Sequence, residues 1–481
     1  MKFLIVTPDG LGIRNFLCGP FIELLLSEGE VVVWHAFSDK TLAPHRERWK
    51  EAVRWERLPS VREGLRERVL RQAKIYAQLY WHYEEDSSEA VLKFLRPSGR
   101  WFNHALAFTS RYLGRLLGNS KGVVWLDRQH AAAASSAEYL EPFKKLLERE
   151  RPDVVFCTHQ RASSAVPAML AARSLGISTA TFIYSWDNLP KGRMAVHADH
   201  FLVWSEFMRQ QLLHYYPEVQ EQQIHVVGTP QFEHYFNRSL VQPRERFLQN
   251  LGLDPQRPVV CFSGDDLTTS PHDPEYLADL AEGLRTLPTD QRPQILFRRC
   301  PVDTTDRYRR VIEKYPEIVV SVPLWTSDAD GDWSKSIPTI DDIALLVNVV
   351  YHSDVVVNLG STMAMDFAIL NKPAIYIAYD PKSVNGFWSI HNTYRLPHLR
   401  CVHELQPILW ARAPGELGNL VVRALSQPEE KSEARQAWLD QQVMHPLSRA
   451  SARCYQALRL IAEDKATDEY RIPDFRVSAT T

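Results

Sequence analysis

The residues best placed for chemistry lie in DVVVNLGSTMAMDFAILNKPAIYIAYD, residues 354–380. An apolar, strand-like run leads into Gly360, Ser361 and Thr362, a helix-forming stretch follows, and a second apolar run closes the unit. The start of a helix presents unpaired N–H groups and a partial positive charge, which suits a phosphate. Gly360 lets a ligand approach the backbone closely, and Ser361 and Thr362 can donate hydroxyls or cap the helix. Asp366, one turn further on, is placed to accept hydrogen bonds from ribose hydroxyls. An ordinary capped helix uses the same residue types, so the surrounding pattern has to decide.

Two other stretches follow strand-like runs. Ligands of open α/β sheets bind beyond the carboxyl ends of parallel strands. Ser263 and Gly264, in SGDD after VVCF, are therefore candidate contacts, whereas Asp265 and Asp266 would repel a diphosphate unless neutralised. Near the N-terminus, VTPDGLGIRNF puts Asp9, Gly10, Gly12 and Arg14 after a run of the same kind. It reads as a Gly-X-Gly turn entering a helix. The third glycine of a dinucleotide fingerprint is missing, and a tight turn capped by Asp9 is the plain alternative.

Positioning such residues requires a sizeable scaffold. At about 150 residues per domain, 481 residues suggest two to four domains. Hydrophobic residues at 45% and charged residues at 24% are those of an ordinary globular protein, which excludes disorder, collagen and a disulfide miniprotein. Lys and Arg number 56 against 58 Asp and Glu, so the basic excess of a nucleic-acid binder is missing. Six cysteines form no CxxC pair, and Cys157 and Cys261 sit inside apolar runs. They read as reduced, structural thiols of a cytoplasmic protein. The apolar run before Pro8 is too short for a signal peptide, and no window is apolar for long enough to span a membrane.

Fully apolar short runs alternate with helical stretches: FLIV (3–6), VVVW (31–34), VVFC (154–157), TATFIY (179–184), HFLVW (200–204) and HVVG (225–228). After a polar, Pro-containing connection at 237–257 the pattern restarts with VVCFSG, QILFRR, IVVSV, DVVVNLG and AIYIAY. Such alternation predicts parallel sheets covered on both faces. The expected architecture is α/β, with two Rossmann-like, doubly wound domains facing a cleft. Their boundaries are 1–240 and 241–481. A helical insertion is expected over about 45–120, followed by a strand signal at GVVWL (122–126), and the tail from about 404 reads as helical.

The order strand, Gly-Ser-Thr, helix, acidic residue, Asn-Lys-Pro, strand resembles the donor half of GT-B-fold glycosyltransferases. SWDNLPKGRM (185–194), ADHFLVWSEFMRQQL (198–212) and IHVVGTPQFEHY (224–235) resemble bacterial surface-polysaccharide glycosyltransferases and CDP-glycerol glycerophosphotransferase-like proteins. The resemblance covers about 150–240 and 255–380, and more weakly 1–35. It implies a nucleotide sugar held by the C-terminal domain on Gly360, Ser361, Thr362 and Asp366. ILFRRCP matches an RPHP-like stretch near the donor phosphates, with Cys300 in place of His, so Arg298 and Arg299 are candidate diphosphate ligands. Gly10, Gly12 and Arg14 would line the acceptor side.

An inverting transfer needs a base for the acceptor hydroxyl, with Asp9, His159 and Asp187 as candidates. A retaining one would rely instead on stabilising the leaving diphosphate. The implied activity is metal-independent transfer of a sugar to a glycan or lipid-linked acceptor in surface-glycan or glycolipid synthesis. The rivals are a polyol-phosphate transferase, a nucleotide-sugar epimerase and a non-catalytic nucleotide-binding partner of a glycan synthase.

No cofactor is implied beyond the nucleotide sugar, which is a substrate, and no metal. DADGD (328–332) contains a DxD but has neither a second ligand cluster nor EF-hand spacing. HExxH, zinc spacing and GxSxG are missing too. Residues 62–118 mix Arg with aromatics at helical spacing. Such helices could lie on an anionic bilayer or pack on the domain with their Arg side chains outward.

Overall fold

The computed structural model describes residues 1–86, 88–95, 101–329, 333–384 and 388–463. The first sheet contains β1 (Lys2–Thr7), β2 (Glu30–His35), β3 (Val53–Arg57), β4 (Val154–Cys157), β5 (Ser178–Phe182), β6 (His200–Val203) and β7 (Ile224–Val226). Its order is β3-β2-β1-β4-β5-β6-β7, and every pairing is parallel. The second half continues with β8 (Val259–Ser263), β9 (Gln294–Arg298), β10 (Ile318–Ser321), β11 (Trp325–Ser327), β12 (Ser336–Pro338), β13 (Val355–Asn358), β14 (Ala374–Ile377) and β15 (Leu409–Ala411). Six of these form a parallel sheet in the order β10-β9-β8-β13-β14-β15, and β11 and β12 make a separate antiparallel hairpin. This is the expected doubly wound α/β architecture. β4, β8, β13 and β14 are buried along their whole length, as strands covered by helices on both faces must be.

Local corrections follow from packing. GVVWL is not a strand. It lies in the helix Ser120–Ala133, where the Asn119 side chain accepts from Gly122 N at 2.9 Å and caps the first turn. Val123, Leu126 and His130 recur at helical spacing on its buried face, while Trp125 points outward. The helical insertion begins at Leu65, not near 45, because Val53–Arg57 pairs with β2 as an edge strand. The tail is not all helix, since Leu409–Ala411 forms β15. The last helix, Ala450–Glu463, crosses back to the first half: Ser451 N donates to Glu233 at 2.8 Å and Arg453 Nε to Val227 O at 2.8 Å.

The insertion consists chiefly of the helices Leu65–Trp81, Trp101–Leu116 and Ser120–Ala133. A buried ionic network ties it to the first half. Asp127 takes Lys74 at 2.8 Å and also Arg193, which reaches Glu218 and the Tyr215 carbonyl. Lys74 and Arg193 are fully buried. All six cysteines are buried and free. Among the described residues, no helix is long and apolar enough to cross a membrane.

Candidate functional site

A cavity of about 260 Å³ lies between the two halves, at the carboxyl ends of both sheets. Segments following β1, β5 and β7 wall it from the first half, and segments following β8, β9 and β13 from the second. The loops leave the strands on that side because the sheets are parallel throughout.

On the second half, Ser263, Gly264, Arg298, Arg299, Ser361, Thr362 and Asp366 all line the cavity. Arg298 is buried at the end of β9. Its Nη2 donates to Asp342 Oδ1 at 2.7 Å, and Nη1 has no partner among the described residues. Asp342 is itself immobilised, accepting from Leu324 N at 2.8 Å and Trp325 Nε1 at 2.7 Å. Thr339 caps the helix Ile340–His352, which carries Asp342, by accepting from Asp342 N at 3.1 Å. Arg299 reaches the Thr305 carbonyl, and its Nε has no partner among the described residues. Gly264 has to be glycine for packing, since a Cβ there would stand 2.9 Å from Tyr308 Oη and 3.0 Å from Phe297 Cε2.

Gly360 has φ +65°, a left-handed conformation natural to glycine. It turns the chain from β13 into the helix Met363–Ile369, which carries Asp366. The Asp366 carboxylate accepts from Tyr235 Oη at 2.9 Å. Burial pushes it up to about 6, against the opposing pull of Tyr235 and Arg14. Asp265 also lines the cavity. Burial, then the neighbouring Asp273 and Asp266, holds its carboxyl well above the usual range, which removes much of the charge that would oppose a diphosphate.

On the first half, Arg14 lines the cavity, whereas Gly10 and Gly12 do not. They do not form a turn. Both lie in the helix Gly10–Leu17, whose N-cap Asp9 accepts from Gly12 N at 2.9 Å. They are glycines for close packing. A Cβ on Gly10 would stand 1.9 Å from Ser336 O of β12, and one on Gly12 2.3 Å from Thr158 Oγ1.

The three candidate bases separate. Asp9 and His159 come together, with Asp9 Oδ2 2.6 Å from His159 Nδ1, and the His159 ring stacks on Tyr184 at 3.9 Å. Tyr184, not His159, faces the cavity. Asp187 stays outside it, bound to Lys191 and accepting from Asn188 Nδ2 at 2.9 Å. Burial alone would raise its pKa, but the Lys191 ammonium holds it well below the usual carboxylate range.

Sequence reasoning missed His234, Tyr235, Trp325 and Trp333, all in the cavity wall. His234 is buried, and its Nε2 has no partner among the described residues. Burial and then Arg14 lower its pKa to about 4, so the imidazole is neutral near pH 7. The available signal was position, since His234 and Tyr235 closely follow β7.

The hairpin β11–β12 latches one half to the other. Asp328 accepts from Ser38 N at 2.7 Å, Ser38 Oγ at 2.5 Å and Thr41 Oγ1 at 2.5 Å. His45 Nε2 lies 3.2 Å from Pro338 O. Trp325 and Trp333 of the same segment meet edge to face at 5.7 Å in the cavity wall. Asp330, Gly331 and Asp332, the rest of the DADGD stretch, lie outside the described residues.

Two parallel Rossmann-like sheets facing a cleft, with the cavity at their carboxyl ends, define a GT-B-like fold. Comparison with solved structures agrees. UDP-GlcNAc 2-epimerase from Methanocaldococcus jannaschii superposes with a TM-score of 0.53 at 12% identity, over 96% of this chain and 100% of that one. A putative UDP-N-acetylglucosamine 2-epimerase from Listeria monocytogenes gives 0.55 at 11% identity, over 96% and 97%. A glycosyltransferase from Rickettsia africae gives 0.51 at 11% identity, over 96% and 99%. At these identities the likeness establishes the fold. No protein-family model and no curated protein matches the sequence.

Proposed function

We propose that the chain is an enzyme acting on a nucleotide sugar bound in the interdomain cavity, and that it transfers the sugar to a glycan or lipid-linked acceptor. The observation that carries this reading is Arg298. Its buried guanidinium is pinned through one nitrogen, leaves the other unpartnered, and shares the cavity with Asp366. A buried donor without a partner is costly in the protein alone and calls for an anionic acceptor. Gly360, Ser361, Thr362 and Arg299 supplement the diphosphate contacts, Asp366 takes the ribose, and Trp325 or Trp333 offers a face to the base.

For transfer, the acceptor hydroxyl gives its proton to a base as it attacks the anomeric carbon, while the C–O bond to the nucleoside diphosphate breaks and the leaving charge falls on the arginines. His234 joins Asp9 and His159 as a candidate base, because its neutral ring lines the cavity. A second reading is isomerisation of the nucleotide sugar without an acceptor. It is favoured by the cavity being walled by both halves and small beside the ~300–1,000 Å³ usual for ligand sites. Two of the similar structures above are named as epimerases of such a compound.

Calorimetric and thermal-shift titration with UDP, GDP, CDP, ADP and CMP tests the site. One of these should stabilise the protein by roughly 2.7 kcal/mol at about 100 times its dissociation constant. Arg298→Gln should weaken it about 10- to 100-fold, the range for a hydrogen bond to a charged group. No stabilisation by any nucleotide would refute the assignment. Donor consumption with and without added glycan then separates transfer from isomerisation.

A further inference from the structure

The helix Trp101–Leu116 carries residues suited to burial on two opposite sides. Leu106, Ser110 and Gly114 face inward, and Gly114 lies so close to the helix Leu65–Trp81 that a Cβ there would stand 2.5 Å from Tyr76 Cβ. On the other side Trp101 is 80% exposed, Phe108 74%, Tyr112 61% and Leu116 62%. At about 100° per residue these four fall within a sector of about 80°, roughly opposite the buried face. Arg115, His104 and Arg111 run along one edge of that sector, and Arg111 Nε donates to Tyr80 Oη at 2.7 Å. A soluble helix normally turns one apolar stripe inward and a polar face outward. Here a second apolar stripe faces outward and stays largely exposed, with Trp101 meeting its neighbour Phe102 edge to face at 6.3 Å.

Charge identifies the occupant. From Ala90 to Leu126 the sequence holds six Lys and Arg and no Asp or Glu, in a chain of net charge −2. A second copy of the chain, docked face to face with the two helices antiparallel, would bring one arginine edge against its symmetry mate, a like-charge contact. Anionic headgroups neutralise the same edge, and Trp, Tyr and Phe settle at the boundary between headgroups and acyl chains. Because no described helix is able to span a bilayer, the attachment is to the surface.

We propose that the outer face of the helix Trp101–Leu116 docks on an anionic phospholipid bilayer. Trp101, Phe108, Tyr112 and Leu116 enter the interface, and Arg115 and Arg111 lie against lipid phosphates. This docking does not depend on the reaction catalysed in the cleft.

The full chain is sedimented with vesicles of phosphatidylcholine alone and of phosphatidylcholine mixed with phosphatidylglycerol, over a range of salt. It should bind the mixed vesicles selectively and release with salt. A Phe108→Ser/Tyr112→Ser double variant and Arg115→Glu should each lower the partition coefficient by about tenfold or more, with the thermal midpoint unchanged because the residues are exposed. Equal binding to both vesicle types, no binding, or binding untouched by the substitutions would overturn the proposal. So would a wild-type dimer in light scattering that the double variant converts to a monomer without any vesicle binding.

Discussion

Asp366 makes the cavity sensitive to pH, and Asp366→Asn measures how far. Burial raises its carboxyl from 3.8 to about 6. At about 1.4 kcal/mol per pKa unit, the neutral acid is favoured over the carboxylate by roughly 3 kcal/mol on folding. Between these two values the folded chain binds more protons than the unfolded one. The contribution is therefore fully present below about 3.8 and is lost as pH rises through about 6. Asparagine keeps an acceptor for the Tyr235 hydroxyl but does not ionise. Wild type and variant should then be nearly equally stable near pH 4, and the variant more stable by roughly 3 kcal/mol above about pH 7. With unfolding entropy near 2.1 cal/mol/K per residue, that is about 3 °C in Tm if the chain unfolds as one unit. Scanning fluorimetry of both proteins across this pH range reads the difference directly. Two parallel Tm curves, or a gap that widens towards acid, would refute the claim that burial governs this carboxyl. Tyr235→Phe sharpens the test, because losing that donor should move the window to higher pH.

Asp127→Ala leaves the buried Lys74 and Arg193 without their shared acceptor. It should cost about 3–5 kcal/mol, read in denaturant unfolding. Asp328→Ala removes the hydrogen bonds from Ser38 and Thr41, and Gly10→Ala drives a methyl group into the Ser336 carbonyl. Each should part the two halves and raise the radius of gyration in X-ray scattering. Burial alone would raise the Asp328 carboxyl, but the Ser38 and Thr41 donors hold it below the usual range. The latch should thus persist at neutral pH and fail only as pH falls past the ordinary carboxylate range.

What could be read from the sequence follows burial. VVFC and VVCF lie on central strands covered on both faces, and continuous apolarity marks such strands without ambiguity. VRWER could not be read that way. β3 is an edge strand in which only Val53 is buried, so Arg54, Glu56 and Arg57 are tolerated and interrupt the apolar signal. GVVWL misled for the converse reason: four consecutive apolar residues look like a strand when one of them, Trp125, in fact faces solvent from a helix. LWA at β15 is too short to register. The sequence presents Gly360 as a point of close ligand approach, whereas the demand visible in the fold is its left-handed φ of +65°. The packing role of Gly10 and Gly12 was not legible, since β12 and Thr158, which crowd them, are remote in sequence.

The same division explains the site. Residues announced by a local motif, Ser361, Thr362, Asp366 and the Arg298–Arg299 pair, are in the cavity. Asp187 looked equivalent, but Lys191, four residues on, claims it. The groups that tune the cavity are set by long-range contacts that no spacing reveals: Asp342 against Arg298, Tyr235 against Asp366, and Asp273 beside Asp265. These contacts share one electrostatic consequence. Asp342 is matched by three donors, Asp265 is pushed towards its neutral form, Asp366 is held by the Tyr235 hydroxyl, and His234 carries no charge. Arg14, Arg299 and the unpartnered nitrogen of Arg298 then face the cavity with few carboxylates competing for them. Its walls contain several acids, yet the arrangement favours an anion, and a nucleoside diphosphate is an anion whose ribose also suits Asp366.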